Sequence, residues 1–480
     1  MKRLIQFRWL LLFFTAGFST AALSQSGTSL SSAKTLFVEA FNGGNEAVPL
    51  HDSVVHQLSK SNRFRLVQSL SGADAIVKGT SRIWIRGYTS TNARTPANNR
   101  QAVYGGYLSL QVVGADGQPL WSWLATPGKL AWSNIVDELS TQVVKRLLAA
   151  DTSSSPSSAD PAAASALAHT RLTGGGATFP APLYQKWFED FEQLHRGVTI
   201  QYSPVGSQSG VEALIAGRMD FAGSDVAPDV FSESASHLPR IASVLGAVVP
   251  IYNLNGSLQD LHFTPEALAD IYLGRVHRWN DPEIRRSNKG VDLPDVEIAV
   301  IHRSDGSGTT WIWSNYLSKV SPAWSSNAGR GATIQWAVGT GAEGSEGMAD
   351  AVQKTPNSIG YVELAYAIQH QLSFAGVRNH SGEYIHADLD SLTEAATSSG
   401  AGGNTAADIT DPPGRHAYPI AAFTWLLLPA TTGDSTKKVA LTELLRWILT
   451  TGQKECSALG YAPLPRVIVD AQLQKLNALP

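Results

Sequence analysis

Hydrophobic positions change period along this chain, and the changes divide it. Up to about residue 150 the pattern mixes alternation with two helical stretches. Leu36-Phe37-Val38 is a short apolar run, and the segments Arg63 to Val67 and Asp74 to Ile85 alternate like strands. Tyr104 to Val113 and Leu120 to Leu124 read as a hairpin around Ala115-Asp116-Gly117-Gln118. Val54, Val55 and Leu58 suggest a short helix, and Ile135, Leu139, Val143 and Leu147 share one face of a longer one over Trp132 to Leu148. These elements predict a small α+β domain over 33–150 with an antiparallel sheet. From residue 172 the rhythm becomes strand, loop, helix, repeated. Leu183, Trp187, Phe191 and Leu194 mark a helix from Ala181, followed by alternation at Val198, Ile200 and Tyr202. Val211, Leu214 and Ile215 mark the next helix, and Met219 to Asp225 the next strand. The apolar run Ile298 to Ile301 precedes a helical pattern at Trp311, Ile312, Tyr316 and Leu317. That alternation predicts an α/β architecture.

Between these parts, residues 151–169 are almost all Ala, Ser, Pro and Asp, too poor in large apolar side chains to pack, and predict a linker. At the start, Lys2, Arg3 and Arg8 precede the short apolar run Trp9 to Phe14, and small residues at Ala21-Ala22 suit cleavage near Gln25. Residues 1–24 therefore predict an export signal; an uncleaved membrane anchor is the competing reading, which the short apolar run disfavours. The single cysteine, Cys456, allows no internal disulfide. Lys and Arg number 37 against 40 Asp and Glu, a net charge of −3. No basic field is available for nucleic acid or an acidic membrane surface, so a bound anion must be held by local dipoles and one or two arginines.

Three junctions in the α/β part place a glycine- or serine-rich loop between a strand and a helix. They are Thr173-Gly174-Gly175-Gly176-Ala177-Thr178-Phe179-Pro180, Pro204-Val205-Gly206-Ser207-Gln208-Ser209-Gly210, and Arg303-Ser304-Asp305-Gly306-Ser307-Gly308-Thr309-Thr310. Glycines let backbone N–H groups approach a ligand, and a helix start offers unpaired donors with a partial positive charge. Arg303 adds a planar fork suited to oxyanions. No Lys-Ser or Lys-Thr pair follows the last glycine, so the third loop is not a nucleotide P-loop. Asp225 ends the strand after the second junction, as an acceptor beside these donors. Ligands of open α/β sheets sit beyond the carboxyl ends of strands, where such loops lie.

From about Leu172 to the C-terminus the chain resembles the periplasmic phosphate-binding proteins of bacterial phosphate ABC transporters. The resemblance is carried by Thr173 to Tyr184, Gly206 to Gly210, Asp220 to Asp225, Leu268 to Trp279, Ile298 to Thr310 and Asn357 to Tyr366. It implies a two-lobed periplasmic-binding-protein fold, type II-like, with a hinge. Lobe 1 is expected at 171–252 with a return from 417–480, and lobe 2 at 253–416. The implied phosphate contacts are Thr178, Phe179, Ser207, Asp225, Arg303, Ser307, Gly308 and Thr309, with Asp305 orienting the guanidinium of Arg303 or, equally, holding its own turn. The implied partners are inorganic phosphate and the permease subunits of an ABC transporter, with no cofactor and no metal. Gln208-Ser209 stands where these proteins commonly carry Ser-Gly. The first domain lies outside the resemblance. Its element order resembles the amino-terminal domain of TolB-like envelope proteins, which implies docking to an envelope partner; a spacer is the alternative.

Two rival functions remain at this level. A phosphatase needs a metal cluster or an activated nucleophile, and His262, His277 and His302 are scattered without a dinuclear spacing. An envelope phosphate sensor or scaffold would use the same cleft and the extra domain.

Overall fold

The computed structural model describes residues 30–479 apart from 31, 44–45, 90–100, 115–118, 126, 128–133, 151–169, 196, 227–229, 232–234, 255–259, 401–407 and 431–432. The expected export signal and the expected linker lie outside the described residues.

The N-terminal domain contains β1 (Thr35–Val38), α1 (Ala47–Lys60), β2 (Ala75–Thr89), β3 (Gln101–Gly114), β4 (Pro119–Ala125) and α2 (Ile135–Ala149). β2, β3 and β4 form an antiparallel meander. β1 instead pairs with β2 in parallel, and the short strands Asn42–Gly43 and Arg65–Leu66 also join in parallel. The sheet is therefore mixed, which corrects the expected antiparallel one. The reason is α1: a strand reached through a crossover helix runs parallel to its predecessor. Alternation in sequence reports which face is covered, not strand direction. Leu50, Val54 and Leu58 of α1 and Leu139, Val143 and Leu147 of α2 bury against Leu36, Val77, Leu108 and Leu110, a core separate from that of the rest of the chain. Tyr107 faces the other way, and its ring stacks on Phe374 at 6.1 Å.

The remainder is α/β. In order come β5 (Thr170–Gly176), α3 (Ala181–Leu194), β6 (Val198–Ser203), α4 (Ser207–Ile215), β7 (Phe221–Ser224) and β8 (Arg240–Asn253). Then follow β9 (His262–Phe263), β10 (Ala299–Arg303), α5 (Gly308–Val320), β11 (Thr340–Ala342), α6 (Gly344–Lys354) and β12 (Ser358–Glu363). β13 (Gly376–Arg378), β14 (Tyr384–Ile385), β15 (Ala421–Leu427), α7 (Ser435–Thr450) and α8 (Arg466–Asn477) come last, and further short elements, among them the helices Pro265–Tyr272 and Leu389–Ser398, lie between those named.

One curled sheet runs β11-β10-β12-β8-β15-β7-β5-β6. β8 is its spine. Its residues 241–252 are buried without a break, as expected for a strand covered on both faces. Residues 240–247 of β8 pair with β15, and 248–253 pair with β12. A single strand thus passes from one lobe into the other, so the two-lobed fold is hinged on shared backbone. The carboxyl ends of β5, β7 and β10 all feed loops between the lobes, which positions the site.

Candidate functional site

Four helix starts meet where the lobes face each other. α3 follows the loop holding Thr178, α4 begins at Ser207, and α5 begins at Gly308. The fourth is α6, beginning at Gly344, which the sequence reading missed. Close packing of backbone brings them together. Gly206 N–H donates to Gly176 O at 2.8 Å, tying the first two loops within one lobe. Across the cleft, Gln208 N–H donates to Gly306 O at 3.3 Å. Gln208, the departure from the resembling proteins, thereby seals the rim, and its side chain donates to Glu212 at 2.9 Å. Gly308 is the tightest point. A Cβ there would lie 2.5 Å from Ser207 Oγ and 2.7 Å from Asp225 Oδ2, so only glycine lets α5 seat against the opposite lobe.

Arg303 is the last residue of β10 and is only 3% exposed. Its guanidinium pairs with Asp305 through two bonds, Nε to Oδ1 at 2.6 Å and Nη2 to Oδ2. Asp305 Oδ1 also accepts from Gly344 N–H at 3.2 Å. Burial pulls the Asp305 carboxyl upward, but the arginine outweighs it and holds the group below its ordinary range. The carboxylate thus fixes the plane of the fork and uses two of its five N–H donors, leaving three to face a ligand. Of the two readings of Asp305, the geometry has it orienting the guanidinium while also accepting from the start of α6.

Asp225 follows β7 and is 2% exposed. Burial pushes its carboxyl up to about 7, against the pull of a bond from Thr424, the Arg303 charge and Ser207. Thr424 Oγ1 donates to Oδ1 at 2.9 Å, and Ser207 Oγ lies 3.4 Å from Oδ2. Asp225 is thus poised between acid and carboxylate near neutral pH, which suits it to share one proton with a ligand.

The hydroxyls divide into committed and available groups. Ser307 caps α5, accepting from Thr310 N–H at 3.1 Å, and its own proton remains to donate. Thr309 is 1% exposed, and its Oγ has no hydrogen-bond partner among the described residues. A buried hydroxyl without a partner is costly unless something at the site satisfies it. Thr178 Oγ pairs with Ser345 Oγ across the cleft at 2.8 Å, and Tyr366 OH donates to Thr178 O at 2.9 Å. Phe179 is fully buried with its ring against Gly246, so only its backbone N–H can reach a ligand. The structure brings Ser207, Asp225, Arg303, Gly308 and their neighbours to one cleft, and Thr178 reaches across between the lobes to Ser345.

Four contributors were not read from sequence. Thr424 carried a faint signal, a lone hydroxyl in the apolar run Ala421–Leu427. Ser345 and Gly344 carried none, lying in an unremarkable polar stretch. Tyr361 OH bonds Thr310 Oγ at 2.7 Å and accepts from Arg303 N–H at 3.2 Å, but an aromatic in a buried strand reads as core. His302 stacks on Trp336 at 4.7 Å, a packing role.

A family model described as a PBP superfamily domain matches residues 161–451. The chain is similar to the phosphate-binding protein PstS of Xylella fastidiosa strain Temecula1, with 39% identity over 317 residues, 65% of this chain and 86% of that protein. It is similar to PstS of Pasteurella multocida, with 36% identity over 310 residues, 64% of this chain and 89% of that protein. Among solved structures, a phosphate-binding protein from Stenotrophomonas maltophilia aligns with a TM-score of 0.51 at 20% identity, over 64% of this chain and 93% of that one. At that identity the likeness speaks for the fold. The family match begins beyond the N-terminal domain.

Proposed function

The chain belongs to the PstS phosphate-binding proteins of the PBP superfamily, and from that premise we propose that it captures inorganic phosphate between its lobes in the periplasm and delivers it to the permease subunits of an ABC transporter. The observation that carries the reading is Asp225, buried and titrating near 7, facing the start of α5 within one cleft that also holds the Arg303–Asp305 pair. Because Asp305 balances the arginine, the cleft has little net positive charge. The anion is held by helix-start N–H groups, hydroxyls and the remaining guanidinium donors. The contacts assigned are Thr178, Phe179 through its backbone, Ser207, Asp225, Arg303, Ser307, Gly308 and Thr309, with Asp305 as the orienting residue.

Phosphate differs from sulfate by carrying a proton near neutral pH. Asp225 accepts that proton's hydrogen bond while the donors take the bare oxygens. Ligand that touches both lobes favours the closed form, and closure reports occupancy to a permease. We assign lobe 1 to 171–247 with its return at 417–480, and lobe 2 to 248–416; the first boundary moves back from the expected 252 because β8 changes partner from β15 to β12 between 247 and 248. The protein acts by binding and release, not as a phosphatase. Calorimetric titration of the mature chain with phosphate, with sulfate as control, tests this: saturable one-to-one phosphate binding that Arg303→Ala removes supports it, and phosphate release from an ester substrate with no tight phosphate binding refutes it.

The N-terminal domain has its own core and lies outside the family match. We assign it to docking with an envelope protein. Crosslinking of the exported full chain, compared with a chain lacking 33–150, tests this: a partner captured only by the full chain supports it.

A further inference from the structure

Away from the phosphate cleft, a small sheet is formed by β9, β13 and β14. β9 pairs with β13 in parallel, His262 opposite Gly376, and β13 pairs with β14 antiparallel, Val377 opposite Ile385. One step further along that second register sets His386 beside Gly376. The two histidines therefore flank one glycine, and neighbours in register share a face. Asp260, two residues before His262, returns to the same face. The result is a convergent cluster. His386 Nε2 lies 2.9 Å from Asp260 Oδ1, and His262 Nε2 lies 3.7 Å from Asp260 Oδ2. The three donor atoms all fall within 4.8 Å of one another.

We propose that Asp260, His262 and His386 form a binding site for a divalent transition-metal ion of the zinc class, separate from the phosphate cleft. Two imidazole nitrogens and one carboxylate are a donor set that favours zinc over calcium or magnesium, which prefer oxygen. Zinc bonds of about 2.0–2.2 Å put neighbouring donors of a tetrahedral site roughly 3.4 Å apart; the two imidazoles lie against different oxygens of Asp260, at 2.9 and 3.7 Å, so a small turn of the carboxylate brings one oxygen and both nitrogens to that spacing. Gly376 keeps the space between the rings open. A Cβ there would lie 2.7 Å from His262 Cδ2 and 3.0 Å from His386 Nε2.

The surroundings hold the donors in place. His262 N–H donates to Asn288 Oδ1 at 2.8 Å, and Asn288 Nδ2 donates back to His262 O at 2.8 Å. Ser391 Oγ donates to His386 O at 3.2 Å. Phe374 packs edge-on to His386 at 6.2 Å, and the Tyr384 ring lies 5.1 Å from His262. The Tyr384 hydroxyl is turned to Ser287 Oγ at 2.9 Å, so Tyr384 forms wall, not ligand. The His386 side chain is 2% exposed, while those of His262 and Asp260 are 28% and 34% exposed. One buried and two half-buried ligands leave an entry path and a fourth position for water. The ion would clip the segment at 260–262 to the one at 386, two stretches of the same lobe far apart in sequence.

The test uses the untagged mature chain, stripped with chelator and titrated with zinc against a chromophoric competitor. The expected result is one equivalent of zinc, not displaced by calcium or magnesium, and a cobalt-loaded form with the visible absorption of low-coordinate cobalt. Asp260→Asn and His262→Gln each weaken zinc by at least roughly a hundredfold, beyond what loss of an outer partner costs. Their phosphate affinity, and their circular dichroism in chelator, stay those of the parent chain. Absence of stoichiometric zinc binding by the parent chain overturns the proposal, whatever the variants do. Zinc affinity unchanged in both variants overturns it as well.

Discussion

Replacing Asp225 by Asn tests how the cleft tells phosphate from sulfate. In the closed cleft Asp225 is 2% exposed, fixed by Thr424 at 2.9 Å, and titrates near 7. An ionised carboxylate only accepts, so against a sulfate oxygen it leaves two buried acceptors facing each other. That costs about 1–3 kcal/mol or more, which is roughly 5- to 150-fold in affinity. Sulfate escapes that cost only when Asp225 is protonated and donates. Its apparent affinity then falls with the protonated fraction, which drops roughly ninetyfold from pH 6 to pH 9 for a group titrating near 7, down to the floor set by that cost. The amide of Asn donates at every pH, so Asp225→Asn binds sulfate with little pH dependence and more tightly than the parent chain at pH 9. Its amide oxygen still accepts from the phosphate proton, so phosphate binding is reduced less than selectivity. Calorimetric titration with sulfate at pH 6, 7, 8 and 9 measures both slopes. A parent chain whose sulfate affinity is flat over that range, or an Asn variant that rejects sulfate as well as its parent, refutes the role given to Asp225.

Other expectations follow from the same geometry. With the lobes closed, Asp225 holds its proton up to about 7 but releases it near 3.8 when unfolded; the stability of the closed form is therefore full below about 4 and declines as pH rises toward 7. Asp225→Asn removes that decline, so the stability of its closed form relative to the parent's grows between pH 4 and pH 8, by up to about 4 kcal/mol, read from unfolding at the two pH values. Gly308→Ala places a methyl 2.5 Å from Ser207 Oγ, so closure is blocked; phosphate affinity falls at least roughly tenfold while melting of the unliganded protein changes little. Asp305→Asn frees the guanidinium to rotate and weakens phosphate by roughly tenfold, less than Arg303→Ala, which removes the charge and strands Asp305 for a loss of at least roughly a hundredfold. Arg303→Lys resembles the alanine variant more than the parent, because a point charge cannot engage Asp305 and a ligand together; equilibrium phosphate titration ranks all three.

The helical and alternating periods already separated the α+β domain from the α/β part, and α3 lies where Leu183, Trp187 and Phe191 placed it. The glycine-rich loops were legible too, because a strand exit, a glycine and a helix start are local events. What local pattern could not carry was partnership across distance. Strand direction in the N-terminal sheet depends on where α1 carries the chain, so the sheet proved mixed. Thr424 meets Asp225 across 199 positions and Ser345 meets Thr178 across 167, and neither residue type advertises such a contact. His262 looked isolated because its companion His386 enters through the register of three short strands. The raised pKa of Asp225 is likewise a product of burial between residues of both lobes, which no local pattern carries. Sequence alone determined many of the strands, helices and donor-rich turns, though not α6 or the spine strand β8, since the legible ones follow from nearby residues and backbone sterics. Tertiary structure decided which of them share a site, because convergence depends on how β8 bends one continuous sheet through both lobes.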